Sequence, residues 1–258
     1  MNSGAEQLIF SLIAGVFIGG AAGYLGTLML SKRMALVAGP LGHLTLPGIA
    51  IALVWGFDVS LGAFPFVVLG IIAIWLLEMR TKLPMEALTA IVFASGVAIA
   101  FLFLPIEQAE TALVGDISET SFGNMLLVGV LCLALLWTVK NIYSKMTLIN
   151  ISEDLAKSEG IDVRKYNLIY LGAIAVIVAL GVKVVGSLLT AALVAIPAAT
   201  ARNLSKNLFQ FSLFGLILGA VSSLLGILVF KVTGLPAGPM IIIVATFFFL
   251  VSLAFKKY

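Results

Sequence analysis

Long uncharged apolar runs alternate with short polar ones along this chain. Nine runs have the length of a membrane span: 7–30, 34–56, 60–77, 87–104, 123–140, 166–182, 184–201, 208–230 and 238–255. Each is about 17–25 residues long, the reach an α-helix needs to cross roughly 30 Å of hydrocarbon. None alternates with period two, which argues for helices and against a membrane barrel. The pattern therefore predicts an all-α polytopic membrane protein of about nine transmembrane helices in one domain, 1–258. The weakest spans are 60–77, which contains Pro65, and the closely joined pair 166–182 and 184–201. Eight spans result if one segment is re-entrant.

Charge orients the bundle. With the N-terminus outside and the C-terminus inside, the inner loops hold Lys32, Arg33, Arg80, Lys82, Lys140, Lys145, Lys157, Arg164, Lys165, Arg202, Lys206, Lys256 and Lys257. Only Lys183 and Lys231 fall outside, so the split is 13 to 2, as the positive-inside rule demands. The segment 105–122 carries Glu107, Glu110, Asp116 and Glu119 with no base, and it falls outside. Composition agrees. Of 258 residues, 62% are hydrophobic and 10% charged, with a mean hydropathy of +1.20. A soluble domain carries about 25% charged residues. The net charge of +3 is scattered over short loops and gives no nucleic-acid surface. Cys132 has no partner for an internal disulfide and reads as a packed small hydrophobe. The start, "MNSGAEQ", lacks the basic region of a cleaved signal, so the first run is expected to remain as a span.

Small residues recur every four positions at Gly15, Gly19 and Gly23 in the first span, and at Gly215 and Gly219 in the eighth. That spacing lets helix backbones approach closely in lipid. The longest polar stretch is 144–167, on the cytoplasmic side. Within it "NISEDLAKSEG" predicts a short helix, with Asn150 as its cap and Glu153 three residues on. Glu153 and Asp154 fall in the first turn, Leu155 and Ala156 supply small apolar positions, and Gly160 can end the helix. The segment suits docking at the membrane face; an ordinary solvated loop with one helical turn is the plainer reading.

The stretch "SEDLAKSEGIDVRKYN" is followed by "ALGVKVVGSLLTAALVAIPAATARNLSKN" and by "GLPAGPMIIIVATFFFLVSL". Upstream lie "SKRMALVAGPLGHLTLPGIAIAL", "LTAIVFASGVAIAFLFL" and "LVGDISETS". In this order the elements resemble the permease subunits of ABC importers for zinc, manganese or iron. The most specific matches are 160–164, 185–189, 197–201 and 236–239. The resemblance implies a homodimer around a central pathway in the cytoplasmic membrane of a prokaryote. It also implies two copies of a separate ATPase, and an extracytoplasmic metal-binding receptor. The cytoplasmic segment 144–166 would hold the coupling helix, from Glu153 through Asp154, Leu155 and Ala156 to Gly160. The chain has no G-x-x-x-x-G-K-[ST] phosphate loop, so ATP chemistry is expected on the partner and no bound cofactor on this chain. Pro197, late in the seventh span, implies either a simple bend or a gating hinge.

A metal ion crossing an apolar core needs ligands to replace its water. Members of the family resembled carry Gly-Asp-x-Leu-x-His in the second span, with acid and His one helical turn apart. Here that stretch is "AGPLGH": His43 is kept, and Gly39 stands in the acid's place. His43 is the chain's single histidine. Three outcomes stay open: a weak transient metal site, a pair of His43 imidazoles meeting across a dimer axis, or cargo that is not a bare ion. A packed histidine without a pathway role is the remaining reading. A secondary transporter would need charged residues inside its spans, and these spans have almost none. No nucleophile–base set or paired buried carboxylates mark an enzyme.

Overall fold

A computed structural model of the chain describes residues 3–32, 34, 38–57, 59–81, 83, 85–103 and 120–255. The described residues form ten helices and no strand. They are α1 Ser3–Ser31, α2 Ala38–His43, α3 Leu46–Trp55, α4 Val59–Thr81, α5 Met85–Phe103, α6 Phe122–Ile151, α7 Glu153–Ser158, α8 Val163–Leu204, α9 Leu208–Thr233 and α10 Ala237–Leu253. Five stretches are long and apolar enough to cross a membrane: Glu6–Ser31, Leu61–Thr81, Phe122–Ile151, Val163–Val182 and Leu208–Thr233. Ala87–Ala98, Leu189–Leu204 and Ala237–Leu253 are shorter apolar helices. The acids Glu107, Glu110, Asp116 and Glu119, and the bases Arg33, Lys82, Lys256 and Lys257, lie outside the described residues.

Helix α1 sits at the centre, packed against α6, α8 and α9. Its glycines meet those of α9 face to face. A Cβ on Gly19 would come within 2.5 Å of the Gly219 carbonyl oxygen, and one on Gly215 within 2.7 Å of the Gly23 carbonyl oxygen. The two predicted stripes are thus the two halves of one interface, and backbones touch where any side chain would collide. On the same helix, Thr27 Oγ1 and the Tyr143 hydroxyl of α6 share a hydrogen bond of 3.0 Å.

The second, sixth and seventh predicted spans differ from what the structure forms. The second, 34–56, is broken: α2 ends at His43, Leu44 and Thr45 intervene, and α3 starts at Leu46. Pro47 has no N–H to offer the His43 carbonyl, so a continuous helix cannot close its ladder there. The Thr45 N–H turns back to the Gly42 oxygen instead, at 3.2 Å. The sixth and seventh spans are arms of α8 that meet at Gly186, slightly later than the predicted boundary. Gly186 takes φ 78° and ψ 169°, a conformation open to glycine and not to side-chain-bearing residues. In a straight helix Gly181 and Leu193 would stand about 18 Å apart. Here a Cβ on Gly181 would lie 3.7 Å from Leu193 Cδ2, so the arms fold back on each other.

Helix α6 also outruns its predicted span of 123–140, continuing to Ile151. Ile142, Met146 and Ile149 recur at helical spacing and are buried, which carries the helix through residues whose polarity suggested a loop. At the same end of the bundle, Lys32 Nζ donates to Asn167 Oδ1 at 2.7 Å and lies over the Tyr170 ring. Asn203 Nδ2 donates to Ser252 Oγ at 2.9 Å, tying α8 to α10.

Candidate transport pathway and coupling segment

The first candidate site is the break between α2 and α3. Two glycines press α2 onto the second arm of α8. A Cβ on Gly42 would sit 2.7 Å from the Ser187 carbonyl oxygen, and one on Gly39 3.2 Å from the Ala191 Cβ. Gly39 therefore does more than stand where an acid was expected. Its missing side chain is part of the fit between α2 and α8. Leu44 fills the space left by Gly70 of α4 and Gly96 of α5. Thr45 is fully buried, and its hydroxyl bonds the Gly42 carbonyl.

His43 lies at the end of α2, half-buried, its ring 5.6 Å from that of Phe93 on α5. No hydrogen bond engages the His43 ring among the described residues. Ser187, just past the Gly186 turn, is fully buried with its hydroxyl unpartnered, while Thr190 Oγ1 donates to the Gly186 carbonyl at 2.6 Å. Among the described residues no group of three His, Cys, Asp or Glu side chains comes together to hold a metal. One imidazole beside an interrupted helix is the chemistry of brief contact rather than storage. Within a membrane, irregular backbone is tolerated where it is buried in protein or lines a cavity.

The second candidate is the segment after α6. Ser152 closes α6 through its N–H to the Leu148 carbonyl, at 3.0 Å, and opens α7 by accepting from the Leu155 N–H, at 3.2 Å. It is the cap expected at Asn150, which instead lies inside the longer α6 with both side-chain polar atoms buried and unpartnered. The stop is where the sequence put it. Gly160 has φ 75°, its N–H bonds the Lys157 carbonyl, and the Ile161 N–H bonds the Ala156 carbonyl, each at 3.0 Å. That pair of bonds is the Schellman arrangement.

Helix α7 is therefore fixed at both ends and joined to α6 through a single residue. Ala156 is fully buried, whereas Leu155 is 47% exposed, and the Asp154 carboxylate stands in solvent. Lys157 lies 3.9 Å from Glu153 and 3.7 Å from Asp154. Such exposed pairs contribute little stability, so this face is free to meet another surface. Asp162 caps α8 by accepting from the Lys165 N–H at 3.1 Å. Burial pushes the Lys32 ammonium below the usual lysine range, opposed by the charges of Glu78 and Glu153. Lys32 thus ties the end of α1 to α8 through Asn167 and Tyr170, beside Glu153 at the start of α7.

Pro197 is buried in the second arm of α8, where Thr200 Oγ1 donates to the Ile196 carbonyl at 2.8 Å. The non-helical residue of α8 is Gly186. Sequence reasoning missed Gly186, Ser152 and Lys32. A glycine close to the junction of two apolar runs was the available signal for the first. The second was visible as a serine before two acids, and the third depends on tertiary contacts alone.

A family model described as the ABC 3 transport family matches residues 5–256. The high-affinity zinc uptake system membrane protein ZnuB of Buchnera aphidicola is 27% identical, the match covering 96% of this chain and 97% of that protein. The manganese import system permease protein ScaB of Streptococcus parasanguinis is 26% identical over 96% of this chain and 91% of its own. Among solved structures, PsaBC from Streptococcus pneumoniae in complex with Fab superposes with a TM-score of 0.82 at 25% identity, covering 96% of this chain and 91% of that one. With helix order, broken second span and capped cytoplasmic segment in the same chain, this match over nearly its whole length makes it a member of the ABC 3 transport family.

Proposed function

We propose that this chain is the membrane-spanning permease subunit of an ABC importer for a divalent metal ion: zinc, manganese or iron. The observation that carries the reading is the match of residues 5–256 to the family model, beside similar proteins named for zinc, manganese and iron transport. Two copies line a shared pathway in the cytoplasmic membrane, N-termini outside and C-termini inside, with nine spans. The 13-to-2 split of basic residues supports that orientation. An extracytoplasmic receptor delivers the ion. Two copies of a separate ATPase grip α7 from the cytoplasm, contacting Glu153, Asp154 and Leu155. Ala156 and Gly160 hold α7 in shape.

In this reading the ion passes the α2–α3 break, where His43 exchanges one imidazole for part of the water shell. The second arm of α8 presses on α2 through Gly39 and Gly42, so moving α7 and the foot of α8 shifts the wall of the pathway. Gly186 and Pro197 supply the bends. The test is reconstitution of the chain with its ATPase and receptor in vesicles. ATP-dependent uptake of radiolabelled zinc, manganese or iron is expected, and its absence with a competent receptor refutes the metal assignment. Labelling a single cysteine at position 157 in a Cys132→Ala background checks the orientation: modification from the cytoplasmic side alone is expected.

A second reading has its own support. With Gly39 in the acid's position and no three-ligand group among the described residues, a chelated metal needs less from the pathway than a bare ion does. Uptake that requires the chelator and is indifferent to His43→Ala favours that cargo.

A further inference from the structure

A groove of 580 Å³ opens between α6 and α9, with Tyr24 of α1 at its floor. Lys140 and Ser144 line its α6 side, and Leu213 and Leu216 its α9 side. Its depth in the bilayer can be read from α6. Residues 122–139 carry no charge, Trp137 is 68% exposed, and Lys140 follows as the first charge. An exposed tryptophan one turn before a lysine marks the boundary between hydrocarbon and headgroups. The α9 side agrees, since Phe209, at the start of that helix and also lining the groove, is 73% exposed. The groove lies at the end of α6 that leads into α7.

Three observations say what fills it. Apart from the buried Ser212, its α9 wall is apolar, and Leu208, Phe209 and Leu213 on it are exposed, as residues that face lipid are. Lys140 is exposed, and the ion pairs among the described residues leave it without a carboxylate. The Ser144 hydroxyl stands exposed one helical turn away, on the same face. A cation and a hydroxyl above an apolar wall match a phosphodiester above acyl chains. We propose that an anionic phospholipid of the leaflet on the α7 side binds between α6 and α9, its phosphate at Lys140 and Ser144 and its chains along Leu213 and Leu216. Such a lipid would brace α9 against α6 beside Tyr143, the residue that hydrogen-bonds Thr27 of the central helix.

The test is native mass spectrometry of the full chain in non-ionic detergent, with phosphatidylglycerol or phosphatidylcholine added at equal mole fraction. Wild type is expected to retain phosphatidylglycerol preferentially. Lys140→Gln should lower that retention to about one fifth, the effect of one lysine near an anionic surface. Ser144→Trp, at an exposed helical position, keeps the charge but fills the groove, and should release both lipids. Millimolar inorganic phosphate should leave the lipid in place. Equal retention of the two lipids, retention unchanged in both variants, or displacement by inorganic phosphate alone overturns the proposal. So does exclusion of both lipids from a dimer, which would mean that a second copy covers the groove.

Discussion

His43 and Gly186 are single residues in opposite settings, one loosely packed and one held in a conformation that a side chain resists. His43 is half-buried against Phe93 and takes part in no hydrogen bond among the described residues. Removing it should cost little stability. His43→Ala is expected to leave the thermal unfolding midpoint of the detergent-solubilised chain within a few degrees of wild type. If the ion touches the imidazole, the same change lowers zinc or manganese uptake severalfold. Unchanged uptake removes His43 from the pathway. Gly186 is the opposite case. Its φ of 78° penalises any Cβ, so Gly186→Ala should destabilise the chain by about 1–3 kcal/mol, read as a lowered unfolding midpoint. Gly39 lies between these two. Gly39→Asp restores an acid one turn from His43, but its Cβ meets Ala191 at 3.2 Å. A modest loss of stability together with tighter metal retention is expected, measured by metal content after purification.

Among the elements, α7 is short yet held firmly. Six residues cannot sustain a helix in water by propensity alone. Here Ser152 caps one end, Gly160 closes the other, and Ala156 is buried. Ser152→Ala should cost about 1 kcal/mol locally. Because Ser152 also accommodates the end of α6, the larger effect is expected on coupling: less metal imported per ATP hydrolysed, with complex assembly preserved. Normal coupling in Ser152→Ala and in Gly160→Val together would remove α7 from the lever. The sequence showed this element but misplaced its start by two residues. The error has a physical source. Asn150 is as good a cap by type as Ser152, yet Ile149 and Met146 are buried, and their packing draws Asn150 into α6.

At the scale of the molecule, the bundle is organised by α1. Backbone contact with α9 at Gly19, Gly23, Gly215 and Gly219 leaves no room for side chains. Gly219→Leu must push two backbones apart, and no rotamer relieves that. It should abolish recovery of folded protein or lower the unfolding midpoint well beyond the 1–3 kcal/mol of ordinary overpacking. Gly20→Ala on the same helix is the control. There a Cβ meets its nearest neighbours at 3.5 Å, an ordinary contact, and near-wild-type stability is expected.

Hydropathy by itself determined that the chain is helical and membrane-spanning, and the glycine spacing marked two close-packing faces. These are local properties, set by the length of each apolar run and by the residue type every fourth position. The order of motifs pointed to the family. Which stripe meets which was decided only in three dimensions, as were the folding of α8 onto itself at Gly186 and the fit of Gly39 against Ala191. The linking of Lys32 to Asn167 was decided there too. Each of these joins residues far apart along the chain or balances one packing demand against another. Lipid offers no hydrophobic force to choose between helix faces, so the choice falls to shape and to a few buried hydrogen bonds, which a linear pattern does not record.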